Sequence, residues 1–343
     1  MARSPIAERL TAQALSGPPL LRPEDVAERL LAIQGQDPRG ARLAIRARSS
    51  GLGVADVDRA LSEERSLLIT WLSRGTLHLV RSEDYPLLQQ LTTPPLMTSN
   101  ATRLRQEGVS AGMAERAVKT IESALAEEGP LTRPQLRERL DAARVPTAGQ
   151  ALVHLFFRAA ILGVAVRGPM VGKEHAYVLV RDWLGAQRPL DRDAALAELA
   201  RRYLVGHGPA GDRDLARWAG LPLRDARAGL TAIASQLLER EDGLVDLAKR
   251  APAEPLPPPR LLGAFDPLLL GWTSREEVVG PHKLLVTNNG LFRPFALVGG
   301  RAVSTWRFNA GKVTIEHLGK VSKRAAAALD ADARAVEEFM APR

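Results

Sequence analysis

Three degenerate copies of one helix-stopping phrase constrain this chain more than any other feature. They are Gly17-Pro18-Pro19-Leu20-Leu21-Arg22-Pro23-Glu24-Asp25-Val26, then Gly129-Pro130-Leu131-Thr132-Arg133-Pro134-Gln135-Leu136, then Gly208-Pro209-Ala210-Gly211-Asp212-Arg213-Asp214-Leu215. Gly ends a helix by turning left-handed and Pro cannot continue one, so each copy reads as helix, turn, new helix. Thr132, and Gly211 or Asp212, are suited to cap the helix that follows. An amphipathic helix precedes the later copies, with Ala117, Val118, Ile121 and Leu125 at helical spacing in 113–127, and Leu196, Leu199, Ala200 and Leu204 in 194–205. The second copy leads into helical patterns at 136–143 and 150–160 and an alternating stretch at 163–180 with Gly168-Pro169 and Gly172 near its tip. The third leads into 213–218, 223–238 and a β-like run near Leu244. Helix, helix, helix, hairpin is the order of a winged helix.

The pattern predicts three tandem winged-helix units over residues 1–90, 113–182 and 191–250. Pro252, Pro255, Pro257, Pro258 and Pro259 then make a linker, and strand patterns follow. Runs at 282–286 and 291–297 flank Thr287-Asn288-Asn289-Gly290, and runs at 302–308 and 313–318 flank Asn309-Ala310-Gly311-Lys312. Asn-Gly between apolar runs is a strong hairpin signal. A helix over 322–340 closes the chain. The expected fold class is α+β and helix-rich, with three winged helices followed by a β-rich domain at 253–343.

Charge narrows the partner. Lys and Arg number 47 against 39 Asp and Glu, a net +8, which points to a polyanion. The absence of cysteine excludes disulfides, thiolate zinc sites, iron–sulfur clusters and a cysteine nucleophile. No apolar run is long enough to span a bilayer, and Met1-Ala2-Arg3-Ser4-Pro5 leads into a polar helix without a signal core, so the expectation is cytoplasmic. There is no phosphate loop, no HExxH and no serine elbow, and the six histidines lack metal-ligand spacing, so neither cofactor nor metal is expected.

One segment is left with chemical potential: Ile33-Gln34-Gly35-Gln36-Asp37-Pro38-Arg39. Two glutamines flank a glycine where an apolar helix breaks. In an extended geometry residues two apart share a face, and two amides there can hold one water between a carbonyl acceptor and an amide donor. The Asp37 side chain should point elsewhere. Downstream, Arg39, Arg42, Arg46 and Arg48 are spaced to grip phosphates, and Arg74 is expected on the same concave basic surface. Spacing by itself favours the plainer reading, a helix C-terminus with solvated amides and a cationic face.

The chain resembles the AlkZ-type winged-helix DNA glycosylases, in which a Gln-x-Gln motif after the second helix marks the catalytic site and a sister branch carries Gln-x-Asp. Gln34-Gly35-Gln36 has the Gln-x-Gln form, with Gly35 where the family often has a bulkier residue. Ser73-Arg74-Gly75-Thr76-Leu77-His78-Leu79-Val80 is similar to the strand phrase ending the family's first winged helix. The third-unit stretch with Asp214 and Trp218 also resembles the family, as do Phe265-Asp266-Pro267 with Leu270-Gly271, and Asn289-Gly290 through Trp306-Arg307.

The resemblance implies hydrolysis of the N-glycosidic bond of bulky N7-alkylated purines, with Gln34 and Gln36 placing the water. It implies an open site that takes interstrand crosslinks, in DNA repair or in self-resistance to a DNA-alkylating natural product. The partner is then double-stranded DNA carrying an alkylated purine, bound by a monomer at the bacterial nucleoid. A tight hairpin bearing Lys283, Asn288, Asn289 and Arg293 would enter the minor groove. The first 118 residues contain no lysine, so a Schiff-base lyase step near the glutamines is not expected and the glycosylase should be monofunctional. The alternative is a non-catalytic winged-helix transcription regulator. Such a protein usually dimerises on a palindrome, whereas three unlike units in one chain suit a clamp on one lesion.

Overall fold

The structure, a computed structural model, describes residues 4–172, 174–287 and 290–341, with Lys283 described by its backbone alone. The chain is α+β and helix-rich, and it divides into two compact units. One comprises residues 59–192 with 219–221; the other comprises 1–58, 193–218 and 222–343.

The 59–192 unit packs helices Ala111–Glu128, Arg133–Ala142 and Ala151–Ile161 beside antiparallel strands. Gly129 (φ +80°) stops the first helix, and Thr132 with Gln135 forms a capping box on the second. This is how the helix-stopping phrase translates into backbone. Ile121, Leu136, Leu155 and Phe156 converge in the core, where Phe156 stacks on Tyr177 at 4.6 Å. The strands run in the order Thr76–Arg81, Leu67–Leu72, Ala165–Val171, Glu174–Leu179. A bulge between Arg167 and Met170 contains Gly168, where a Cβ would lie 2.6 Å from Val178 Cγ1.

The other unit joins the two ends of the chain. Its sheet runs in the order Lys312–His317, Arg301–Asn309, Phe295–Val298, Arg260–Leu262, all antiparallel. Helix Lys323–Met340, capped by Ser322, packs on the outer strands through Leu329, Val336 and Phe339. Trp306 is buried and its indole N–H donates to Leu262 O at 2.9 Å. Helix Pro38–Arg46 packs against strand Arg260–Leu262 and the closing helix. The approach is close: a Cβ on Gly40 would run into the carbonyl oxygen of Ala264. In the same unit, helices Arg192–His207, Asp212–Ala219 and Leu223–Ala232 precede a short hairpin, Leu237–Glu239 with Val245–Leu247.

The hairpin expected at 302–318 forms, with Ser304 to Asn309 facing His317 to Lys312 around Ala310 and Gly311, both at positive φ. The one expected at 282–297 differs. Lys283–Leu285 is a 3-10 turn, and Val286 and Phe292 make a single bridge. Pro281 and Pro294 bracket this stretch and cannot donate to a ladder, so regular pairing begins only at Phe295. Asn288 and Asn289 lie outside the described residues, as does the Lys283 side chain.

Candidate active site

The glutamine segment is pinned at both ends. Helix Pro23–Leu30 starts with Pro23 at its first turn beside Glu24 and Asp25, favourable charges for a helix N-terminus. It buries Val26, Ala27 and Leu30 and stops at Leu31, whose φ is +62°. A non-glycine residue there costs on the order of 1 kcal/mol or more, and burial of Leu31 holds it. Residues Ile33–Gln34 are extended, with Ile33 buried in the core. On the far side Asp37 caps helix Pro38–Arg46, accepting from Arg39 N–H at 2.9 Å and Gly40 N–H at 3.1 Å. Its carboxylate is thus turned away from the glutamines and onto the helix end.

Between these anchors Gln34 and Gln36 meet. Gln34 Nε2 donates to Gln36 Oε1 at 2.6 Å. Gln34 is 6% exposed and Gln36 is open to solvent. The spacing of two brings both amides to one side, as extended geometry requires, but they bond each other directly rather than across a bridging molecule. A buried amide tethered to an exposed one has a fixed orientation, and each amide retains one unshared polar atom: a carbonyl oxygen on Gln34 and an NH2 on Gln36.

The arginines divide. Arg39 is exposed, with its guanidinium 5.2 Å from the Phe308 ring and hydrogen-bonded to Phe308 O at 3.0 Å. Arg42 is buried and donates to Asp58 at 2.5 and 2.8 Å and to Pro38 O at 2.9 Å. Arg46 is bidentate on Asp332 at 2.6 and 2.8 Å. Arg48 is fully enclosed. The expected four-arginine phosphate grip is therefore corrected: three of the side chains point into the fold, where carboxylates distant in sequence neutralise them. Arg74, in the other unit, is exposed at φ +59° in the turn Ser73–Gly75 joining two strands. Arg293 is exposed, and its backbone N–H reaches Leu285 O at 2.9 Å.

Sequence reasoning missed a buried cluster. His207 stacks on Tyr203 at 4.8 Å and lies 5.2 Å from Trp218 and 5.8 Å from Trp272. Burial pushes its pKa down to about 3, with the nearby Arg48, Arg250 and Arg9 acting the same way. His78 in the other unit is pushed to about 3 by burial and then by Arg74. Neither histidine is poised to act as a general base near neutral pH. Among the described residues no group of His, Asp and Glu is arranged to hold a metal, and no helix is long and apolar enough to cross a membrane.

Comparison with known proteins adds a lineage to this geometry. The family model for DNA glycosylase AlkZ-like proteins matches residues 27–339. An interstrand DNA cross-link repair glycosylase of Streptomyces sahachiroi is 30% identical over 317 residues, spanning 82% of this chain and 81% of that protein. The solved structure of the Streptomyces sahachiroi DNA glycosylase AlkZ superposes with a TM-score of 0.80 over 97% of this chain and 95% of that one, at 24% identity.

Proposed function

The chain belongs to the AlkZ-like family of DNA glycosylases, and from that membership we propose that it releases bulky N7-alkylated purines from duplex DNA by monofunctional hydrolysis. Alkylation at N7 makes the base cationic and its glycosidic bond labile, so the enzyme's task is to steady an oxocarbenium-like sugar and place a water at C1′. Water adds to C1′, the electron pair of the broken C–N bond leaves with the base, and the water's proton passes to solvent.

The observation that carries this reading is the 2.6 Å amide pair. It fixes a carbonyl acceptor on Gln34 and an amide donor on Gln36 beside one another, the set needed to orient one water without a strong base. These two residues are the proposed catalytic pair, in the Gln-x-Gln form. Arg39, Arg74 and Arg293, all exposed, are the proposed phosphate ligands, while Arg42 and Arg46 brace the helix behind the glutamines. The stretch around Arg293 is proposed to meet the minor groove.

The modules at 1–90, 113–182, 191–250 and 253–343 are part of the proposal, as winged helices and a β-domain acting in one monomeric clamp at the nucleoid. The cross-link named for the relative extends the substrate class: the same cleavage of the N9–C1′ bond of an N7-alkylated purine unhooks one end of an interstrand adduct. The setting is repair of alkylated DNA, or self-resistance in a cell making an alkylating natural product. The test is single-turnover base release from N7-alkylguanine DNA. Wild type should release base and the Gln34→Ala/Gln36→Ala variant should not; equal rates would overturn the assignment.

A further inference from the structure

A cleft of about 690 Å3 opens in the larger unit, lined by side chains other than the two glutamines. Helix Pro23–Leu30 contributes Arg29, helix Arg192–His207 contributes Arg201 and Val205, and the end of the short hairpin contributes Leu247, Lys249 and Arg250. Gly206 fixes the back wall: a Cβ there would run into the carbonyl oxygen of Arg29, so the two helix backbones touch.

The cations in this cleft are not equivalent. Arg250 donates to both oxygens of Asp246 at 2.7 and 2.9 Å, to Val205 O at 3.3 Å and to Leu204 O, and so closes the C-terminal end of its neighbouring helix. Arg201 is paired with Glu198 one turn away at 2.5 and 2.9 Å, a partly exposed pair of the kind that contributes little and exchanges readily. Lys249 stands exposed at the rim.

Arg29 is the anomaly. It is half-buried, and among the described residues its guanidinium has neither a hydrogen bond nor an ion pair. Burial lowers its pKa, Arg250 lowers it further, and among the described residues the carboxylate opposing them is that of its chain neighbour Glu28. A guanidinium held partly from water beside a second guanidinium is unfavourable unless an anion completes it, and a phosphate matches its planar fork.

We propose that this cleft binds a phosphate group bearing an organic substituent, with Arg29 as the bidentate ligand, Arg201 and Lys249 at the rim, and Val205 and Leu247 against the attached sugar or base. Two sources share that chemistry, the backbone of a DNA duplex beyond the lesion and a free mononucleotide. The net charge of +8 favours the backbone, and that source rests on the DNA-glycosylase reading.

The experiment is equilibrium binding to the full-length chain, with a short undamaged duplex and with deoxyguanosine monophosphate as probes, from low to physiological salt. If the ligand is the backbone, Arg29→Gln weakens duplex binding about 5–10-fold and lowers the log–log salt slope by about one, Lys249→Gln does the same to a smaller extent, and the mononucleotide does not bind. If the ligand is a mononucleotide, it binds wild type, Arg29→Gln abolishes that binding, and duplex affinity is unchanged. The melting temperature of Arg29→Gln is expected to hold, since the substitution removes an uncompensated charge; Lys249→Gln, at an exposed position, carries the test otherwise. Unchanged affinity for both probes in folded variants overturns the site, and so does binding of an acidic peptide in place of either probe. Base release is not the readout, so failure of the glycosylase reading and failure of this site are distinguishable.

Discussion

Arg48 grips Asp266 across 218 residues of sequence with two hydrogen bonds, Nη2 to Oδ1 at 2.8 Å and Nη1 to Oδ2 at 3.0 Å, and neither side chain has any solvent exposure. The other three donors are also placed, on Gln13 O, Gln13 Oε1 and Ala44 O at 2.8–2.9 Å. Asp266 in turn accepts from Leu268 N–H at 2.9 Å. The pair therefore joins the first helices of the chain to its last domain with every guanidinium N–H satisfied.

Removing one partner strands a buried charge. Arg48→Met or Asp266→Asn should each lower stability by about 3–5 kcal/mol, and a double replacement by apolar residues should recover part of the loss. Urea unfolding of the three variants checks this. Single variants within about 0.5 kcal/mol of wild type would mean the network contributes little.

For the amide pair, groups acting as a unit are not additive. Gln34→Ala and Gln36→Ala should each lower single-turnover base release by about 10²–10⁴-fold, with the double variant close to either single one. Gln36→Asp supplies a base and should retain measurable release of N7-methylguanine where Gln36→Ala does not. Additive losses would show two independent residues.

Gly40 tests how the helix behind the glutamines is seated. Gly40→Ala places a methyl against Ala264 O, backbone that cannot give way as a side chain tip can. It should destabilise by about 1–3 kcal/mol and lower activity with it. Thermal unfolding beside base release measures both, and a stable, active variant would refute the close approach.

The two kinds of arginine separate by readout. Arg39→Gln should weaken binding to damaged and undamaged duplex alike and lower the salt slope by about one, with stability unchanged. Arg42→Gln breaks the contact of a buried guanidinium with the partly exposed Asp58 and should instead reduce stability by about 1–2 kcal/mol. The reverse pattern would exchange their roles.

The buried histidines set an acid limit. Their folded-state pKa of about 3 lies below the unfolded value of about 6.5. Between those values the unfolded chain binds more protons, so stability falls as pH falls through this window and is fully present above it. Between about pH 7.5 and about pH 5 each histidine should cost about 2 kcal/mol. Denaturant midpoints across this range read the slope, and His78→Asn should flatten it; a slope identical to wild type would remove His78 from the account.

Legibility in the sequence followed distance. Gln34 and Gln36 are two residues apart on extended backbone, so their meeting is a local consequence of geometry, and the hairpin at Ala310-Gly311 is equally local. The arginine run was misread because its partners are not: Asp58 is 16 residues from Arg42, Asp332 is 286 from Arg46, and Asp266 is 218 from Arg48. No periodicity announces a carboxylate that far away. The 282–297 stretch failed for a different reason, since Asn-Gly outweighed two prolines in the reading but not in the ladder. The compact units are likewise not consecutive segments, because the first 58 residues pack with 222–343.

That interlocking has a bearing on how the protein is made. The strand Arg260–Leu262, the Asp266 carboxylate and the helix Lys323–Met340 that pack around the helix behind the glutamine segment are all translated well after that segment. At about 5–20 residues per second the nascent N-terminus waits on the order of tens of seconds for its scaffold. A chain terminated before Arg260 carries the glutamines without that support, so under the role proposed for the pair it is expected to bind no lesion productively and to leave the bases of DNA in place.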